Sequence, residues 1–262
     1  MIKSIQFHLE KYKCQRIVNH YLKQGKPRIY HYHIMKTGGT SINSAFFSLS
    51  GKDSYEVRRS IINHPERYFR SEEHVFSRGK WLIESGLFTY GFSHFPKWQV
   101  NVPADTFTFT CLRDPLKRLI SRYRHLQMMY QSSYRAKFEA DRAAFVDSLQ
   151  DDFLSFVQQT SIEQRHHMLY MFSEQLDPYE AFEQLKKLDI FIFLEELKEG
   201  MSLLEERTGF SLPMRWANKS SYQEEITEEA KEEAKARYLK NDYIFFELAR
   251  DYYAERFKHQ HS

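Results

Sequence analysis

The clearest pattern near the start of the chain is an alternation of apolar and polar positions that gives way to helical spacing. Residues 28–34 alternate with a period of two, which predicts a strand. A short turn at Lys36–Ser41 follows. The next apolar positions recur at intervals of three and four: Ile42, Ala45, Phe46 and Leu49. The pattern predicts a strand, a glycine-containing turn and a helix.

A second strand, turn and helix is predicted from residue 106 onward. Residues 106–112 are rich in β-branched and aromatic side chains. The run ends at Arg113, Asp114 and Pro115, where the aspartate can cap a helix and the proline fits its first turn. An apolar stripe typical of a helix with one buried face follows: Leu116, Leu119, Ile120, Tyr123 and Leu126.

The rest of the chain continues this succession of strands and helices. We expect further strands at 87–94 and 190–194, and helices near 143–159, 179–188, 197–208 and 227–257. Strands that alternate with helices indicate an α/β protein of three layers, a central parallel sheet flanked by helices on both faces. We predict a helical N-terminal extension at 1–27 and a single domain at 28–262.

Composition narrows the class of protein without identifying it. The 262 residues carry a net charge of +3, too small for a general nucleic-acid surface, so we expect no nucleic-acid partner. Cys14 and Cys111 are too few for a disulfide framework, and Cys111 lies in an apolar run, which indicates a buried thiol in a reducing compartment. We find no signal-peptide core and no run of about 18 apolar residues. We therefore expect a cytoplasmic protein without a membrane span.

The turn at residues 36–41 has the chemistry of a phosphate site. Gly38 and Gly39 let backbone N–H groups approach an anion, and the N-terminus of the following helix adds partial positive charge. Lys36 supplies a full charge, and three hydroxyl groups are donors: Thr37, Thr40 and Ser41. The fold is expected to be P-loop-like, although the Walker A pattern is absent because the lysine precedes the glycines. Taken alone, a turn with a solvated lysine is an equal alternative.

The second turn favours the phosphate interpretation. Arg113 can clamp a phosphate through two parallel hydrogen bonds, and Ser121, eight residues later in the helix, can donate a third. Residues 113–142 also hold eight basic residues against three acidic ones. The alternative is a helix cap with a salt bridge. Two anion-binding turns in one domain suit a ligand with phosphate groups at both ends.

Both turns resemble motifs of one enzyme family. Residues 33–41, HIMKTGGTS, closely resemble the 5'-phosphosulfate loop of Golgi-type carbohydrate sulfotransferases and their bacterial relatives. Residues 112–123, LRDPLKRLISRY, resemble the 3'-phosphate motif of that family, and the order and separation of the two motifs match as well. The family uses 3'-phosphoadenosine-5'-phosphosulfate (PAPS) as co-substrate and releases 3'-phosphoadenosine-5'-phosphate (PAP).

The resemblance implies roles for individual residues. Residues 36–41 would bind the 5'-phosphosulfate, with Lys36 also stabilising the leaving oxygen, while Arg113 and Ser121 would bind the 3'-phosphate. Weaker similarities cover the helix at 163–169 and the nucleotide-side loop around Lys219. Two features depart from the family pattern: Met35 stands where proline is common, and the membrane anchor of Golgi members is missing, which favours a bacterial-type cytoplasmic enzyme.

Sulfuryl transfer to a hydroxyl group also requires a base. His94 closes a predicted strand, where catalytic groups gather in doubly wound sheets, and its place between the two motifs resembles that of the catalytic histidine in several family members. Some members use a carboxylate instead, so four residues are held in reserve: Glu72, Glu73, Glu84 and His74. The resemblance implies no catalytic metal, and we interpret His166 and His167 as an exposed helix pair.

The acceptor is less clear from the sequence. Residues 52–80 mix seven basic and five acidic residues with aromatic ones, a composition that suits either an anionic sugar chain or an ordinary solvated face. We expect a hydroxyl acceptor, a carbohydrate or glycoconjugate. Two alternatives stay open: a nucleotide-dependent phosphotransferase, and a non-catalytic nucleotide-binding or scaffold protein with the same fold.

Overall fold

The structure is a computed structural model, and it describes residues 2–131, 152–213 and 226–258. The loop predicted around Lys219 lies outside the described residues, as does the first part of the helix predicted at 143–159.

Twelve helices are present in the described part of the chain. They are α1 (Ile2–Lys23), α2 (Gly39–Ser48), α3 (Ser54–Asn63), α4 (Lys80–Glu84), α5 (Pro115–Gln131), α6 (Phe153–Gln159), α7 (Ile162–Arg165), α8 (His167–Tyr170), α9 (Pro178–Leu185), α10 (Leu197–Thr208), α11 (Glu228–Tyr238) and α12 (Lys240–Tyr253). Short 3-10 turns at Lys97–Gln99 and Leu194–Glu196 and a π-helical end at Ala254–Lys258 complete the helical structure of these residues.

Six strands form one mixed, mostly parallel sheet flanked by helices, as the predicted α/β class requires. They are β1 (Arg28–Tyr32), β2 (Tyr68–Arg70), β3 (Val75–Ser77), β4 (Tyr90–Ser93), β5 (Thr106–Leu112) and β6 (Ile190–Phe193). Their order across the sheet is β2-β3-β4-β1-β5-β6. Strand β1 pairs in parallel with both β4 and β5, so it lies at the centre of the sheet.

The predicted α/β class with a central parallel sheet is confirmed, with one departure from parallel order at an edge of the sheet. Strands β2 and β3 pair antiparallel, with Phe69 opposite Phe76. Only four residues connect them, and a connection that short permits an antiparallel hairpin but not the long crossover that parallel strands need.

The chain divides into two compact units, each built from separate segments. The first unit comprises residues 1–33, 38–111 and 186–217, and the second comprises residues 34–37, 112–185 and 218–262. The domain boundaries predicted from the sequence stay a prediction. Helix α1 belongs to the first unit, where Cys14 and Val18 pack with Tyr68, Val75 and Leu82 in a buried cluster.

The core of the first unit is largely aromatic. His31 is fully buried and stacks on Phe109 with ring centroids 4.5 Å apart, while Phe46 stacks on Tyr90 at 4.1 Å. Burial lowers the pKa of His31 to about 3, so this imidazole is neutral at physiological pH. The central strand is therefore held by stacked rings that approach from α2 and the neighbouring strands.

Helix α5 packs in the second unit as its apolar stripe predicts. Leu119, Tyr123 and Leu126 are buried against Phe153 and Phe156 of α6. The single long final helix predicted at 227–257 is wrong, because the chain leaves helical geometry at residue 239, between α11 and α12. The leucine at this break is itself fully buried in the same cluster.

Candidate active site

The loop that follows β1 has an unusual backbone. Lys36 and Gly38 both adopt positive φ angles, of 71° and 86°. A lysine in this left-handed region costs about 1 kcal/mol or more, which indicates that its neighbours hold it there. The buried Thr37 hydroxyl donates to the Ile34 carbonyl at 2.9 Å and so closes the turn. Its predicted contact with a phosphate stays a prediction.

Helix α2 starts directly after this turn. Its N-cap is Gly38, whose carbonyl accepts hydrogen bonds from the N–H groups of Ser41 and Ile42 at 2.9 and 3.2 Å. The first N–H groups of a helix point out of its N-terminal end and favour an anion there. Gly39 and Thr40 lie at this end, as the sequence predicts for a phosphate loop.

Within the second unit, Arg113 of one predicted motif contacts Lys36 of the other. The Arg113 side chain donates from Nη1 to the Lys36 carbonyl at 3.0 Å. Burial, and then the charges of Arg122 and Arg113, lower the pKa of the Lys36 ammonium to about 8. Three cations of one sign near each other repel one another, and an anion bound among them would relieve that repulsion.

The turn after β5 forms as the sequence predicts. The Asp114 carboxylate caps α5 by accepting the Lys117 N–H at 2.8 Å, and it also accepts the Tyr243 hydroxyl at 3.2 Å. The helix begins at Pro115. Ser121 lies half-buried two turns into the helix, and its predicted contact with the 3'-phosphate stays a prediction.

Arg122 is the site residue that the sequence reasoning missed. Its guanidinium contacts the Met35 sulfur at 3.7 Å and donates to the Gln164 side chain. Arg118, one helical turn earlier, is completely buried and donates to the carbonyls of Gln164 and Arg165. Two arginines four residues apart on one helix face are the signal that could have identified this role.

The expectation that His166 and His167 form an exposed pair is wrong. His166 hydrogen-bonds through Nδ1 to the buried carboxylate of Asp242, and His167 is only 5% exposed. The Met35 N–H donates to His167 Nδ1 at 3.4 Å. Because a buried aspartate supplies a partner for one ring and the loop backbone supplies one for the other, both histidines face inward.

His94 lies in the first unit, directly after β4. Its Nδ1 is 2.6 Å from the His33 carbonyl, which can only accept a hydrogen bond, so Nδ1 carries the proton. In the neutral ring this leaves the lone pair on Nε2. The ring also packs against His33, with centroids 4.5 Å apart. A neutral imidazole in this tautomer can accept a proton at Nε2.

A pocket of about 80 Å³ lies beside His94 in the first unit. His33, Thr40 and Asn43 line it together with apolar side chains and two arginines, Arg58 and Arg78. Thr40 belongs to the predicted phosphosulfate loop. The pocket is therefore lined both by the predicted base and by a residue predicted to bind the phosphosulfate.

The four reserve bases lie elsewhere among the described residues. His74 is buried at 3.5 Å from the Thr89 hydroxyl, and its burial lowers its pKa. Glu84 accepts the Asn101 N–H at 3.2 Å, while Glu72 and Glu73 are exposed. None of them lines the pocket beside His94.

Comparison with known proteins identifies the family. The model of the sulfotransferase family matches residues 19–258, and the chain therefore belongs to the sulfotransferase family. It is a transferase of the sulfuryl-transferring class. A solved structure found by comparison is a sulfotransferase from Alicyclobacillus acidocaldarius, with a TM-score of 0.39 and 15% identity over 85% of this chain and 95% of that one. A search of the curated proteins finds no match.

Two kinds of structural feature are absent from the described residues. No helix among them is both long and apolar enough to span a bilayer. No group of three or more His, Cys, Asp or Glu side chains within 2–131, 152–213 and 226–258 is arranged to hold a metal ion.

Proposed function

We propose that this protein transfers a sulfuryl group from PAPS to a hydroxyl group of a carbohydrate or glycoconjugate. The observation that carries the proposal is the hydrogen bond from Arg113 to the Lys36 carbonyl, because it joins the two motifs within one unit. A donor with a phosphosulfate at one end and a 3'-phosphate at the other suits two such turns.

The residues present fit this donor. Lys36, Arg113 and Arg122 concentrate positive charge, as the lowered pKa of Lys36 indicates. Residues 38–41 would bind the 5'-phosphosulfate through the first N–H groups of α2 and the Thr40 and Ser41 hydroxyls. Arg113 and Ser121 would hold the 3'-phosphate, with Lys219 on the nucleotide side. When bound, PAPS supplies the sulfuryl group.

Two side chains would carry out the transfer. His94 accepts the acceptor's hydroxyl proton at Nε2 as the new oxygen–sulfur bond forms, since its Nδ1 proton is held by the His33 carbonyl. Lys36 would stabilise the negative charge that develops on the departing phosphate as its bond to sulfur breaks. The role of His94 is proton transfer, the role of Lys36 is electrostatic, and both depend on fixed positions.

The first experiment is calorimetric titration of the purified protein with PAP, with 5'-AMP and ATP as comparators. We expect PAP to bind tightly, 5'-AMP to bind weakly because it lacks the 3'-phosphate, and Arg113→Ala to abolish the difference. The exposed Arg59 provides a matched control, since Arg59→Ala removes the same charge elsewhere.

The titration and an assay of sulfate transfer together separate the alternatives. A preference for ATP over PAP would contradict the proposal and favour a phosphotransferase. Tight PAP binding without transfer of radiolabelled sulfate from PAPS to any hydroxyl compound of a broad panel would favour a non-catalytic binding protein.

A further inference from the structure

The pocket beside His94 has two chemically different sides. His94 and Thr40 belong to the proposed reaction site, whereas Arg58 and Arg78 come from parts of the chain that neither motif includes. The described walls also include apolar surface from Phe47 and other side chains. A site that takes only a neutral hydroxyl group has no need of two guanidinium groups.

One arginine lies on a helix and the other directly after a strand. Arg58 shares one face of α3 with Ile61 and Ile62, at spacings of three and four residues, and all three line the pocket. Arg78 follows β3 directly, and its N–H donates to the Arg67 carbonyl at 2.8 Å. The two guanidinium groups are therefore set by a helix and by the end of a hairpin.

The electrostatics of the pocket are unbalanced. Arg78 is half-buried, and its burial, followed by the charges of Arg67 and Arg58, lowers its pKa. Within the described part of the chain, no carboxylate lies at ion-pair distance from Arg58 or Arg78. Arg58 is exposed, so the cost of desolvation falls on the half-buried Arg78, and an opposite charge in the pocket would offset it.

We propose that Arg58 and Arg78 form a subsite for an acidic group on the acceptor, a carboxylate or a sulfate ester near the hydroxyl whose proton His94 takes. The guanidinium fork matches the paired oxygens of either group. About 80 Å³ of space open to water accommodates such a group, since roughly 10–15 Å³ by this measure is enough to hold one water. This inference rests on the proposed function and adds that the acceptor is anionic.

A direct test follows the arginine Nε–H signals by NMR while sodium acetate or sodium sulfate is added to the donor-free protein. Arg58→Gln and Arg78→Gln assign the two pocket signals, and Arg59→Gln assigns an exposed control on the same helix. We expect both anions to move the Arg58 and Arg78 signals saturably at constant ionic strength, and to leave Arg59 nearly unchanged. Unmoved pocket signals, or equal movement of all three, would overturn the inference.

A second experiment measures turnover with three acceptors that differ only in their acidic group. They are unsulfated chondroitin oligosaccharide, its carboxyl-reduced form, and the carboxyl-reduced form carrying a sulfate ester. We expect an acidic form to be preferred about 10- to 100-fold in kcat/KM, the range that a charged hydrogen bond contributes, and Arg78→Gln to remove the preference. The preferred acidic form identifies which group binds. Equal loss for neutral and acidic acceptors would show a structural role and overturn the inference.

The affinity for PAP separates this inference from the proposed function. We expect the dissociation constant for PAP to be the same in the wild type, Arg58→Gln, Arg78→Gln and Arg59→Gln. If PAP does not bind the wild type, the proposed function fails, while the anion titration still decides whether the pocket holds an acidic group.

Discussion

The charge state of Lys36 sets how strongly the loop attracts an anion. Burial and the neighbouring Arg122 and Arg113 lower the pKa of this ammonium to about 8, so the group is largely charged at pH 7 and largely neutral well above pH 8. A phosphate monoester has its second pKa near 6, so the charge of PAP is nearly constant over this interval. Any change in affinity there reports on the protein.

We therefore predict that PAP binding weakens as pH rises through about 8. The sign follows because the ammonium, which attracts the ligand, is the form that is lost. Calorimetry between pH 7 and about 9.5 measures this, with Lys36→Arg as the control, since a guanidinium stays protonated throughout. If Lys36→Arg shows the same decline, another group is responsible.

His94 is the proposed general base, so its removal should slow turnover. Removal of a general base typically lowers turnover by about 10²–10⁴-fold, so we expect His94→Gln to reduce kcat in that range. Donor affinity should be unchanged, because His94 is assigned to the acceptor's proton and not to a phosphate. The exposed His20 supplies the control variant His20→Gln. A parallel loss of PAP affinity in His94→Gln would contradict the assignment.

The start of α2 depends on a close approach that only glycine permits. A Cβ atom on Gly39 would lie 1.9 Å from Nε2 of the His33 ring. That ring packs between His31 and His94, with centroids 5.1 and 4.5 Å away, so it cannot move aside cheaply. The helix end and the imidazole are thus fitted to each other.

We predict that Gly39→Ala lowers stability by about 1–3 kcal/mol, the usual cost of overpacking, and weakens PAP binding as well. Thermal unfolding and calorimetry measure the two effects. Gly51→Ala is the control, because Gly51 has a φ of 70° and nothing within 4 Å of its added Cβ, so it suffers backbone strain alone. Retention of PAP affinity in Gly39→Ala would contradict the proposed role of this helix end.

The sequence predicts the bounds of a helix or strand best where residues that end such an element follow it. Strand β5 and helix α10 occupy the predicted residues, 106–112 and 197–208, because β5 stops at Arg113-Asp114-Pro115 and α10 stops at Gly209. The sequence did not predict strands β2 and β3, because each has three residues and is too short to show a period of two. The break at residue 239 depends on burial of a leucine in a tertiary cluster, which no local signal records.

Only part of the candidate site could be predicted from the sequence. The phosphate loop and Arg113 could be predicted because each motif is contiguous along the chain. The grouping of Arg58, Arg78 and His94 around one pocket could not, because α3, the hairpin and β4 supply one residue each and meet only in the folded first unit. Arg122 could be predicted only in part. Its spacing from Arg118 along the helix is visible in the sequence, but its contact with Met35 arises only in the folded protein.

The stability of the whole molecule can be followed through its two thiols. Cys14 and Cys111 are buried and form no disulfide, which agrees with the buried thiol predicted at Cys111. Burial raises the pKa of Cys14 to about 11, so this thiol has little of the reactive thiolate at neutral pH. A thiol on β5, next to the central strand, reacts with a reagent only when the first unit opens.

We predict that PAP protects Cys111 against thiol labelling. A ligand that binds only the native state stabilises it by about 2.7 kcal/mol at 100 times its dissociation constant, so labelling that requires global opening slows about 100-fold. The measurement uses Cys14→Ser under native conditions with and without PAP, and ATP at the same concentration is the control. Labelling that is insensitive to PAP would show that Cys111 is reached through a local opening. In that case strand β5 opens without release of PAP. The loop that follows β1 and the sheet that carries this loop then do not unfold as one cooperative unit.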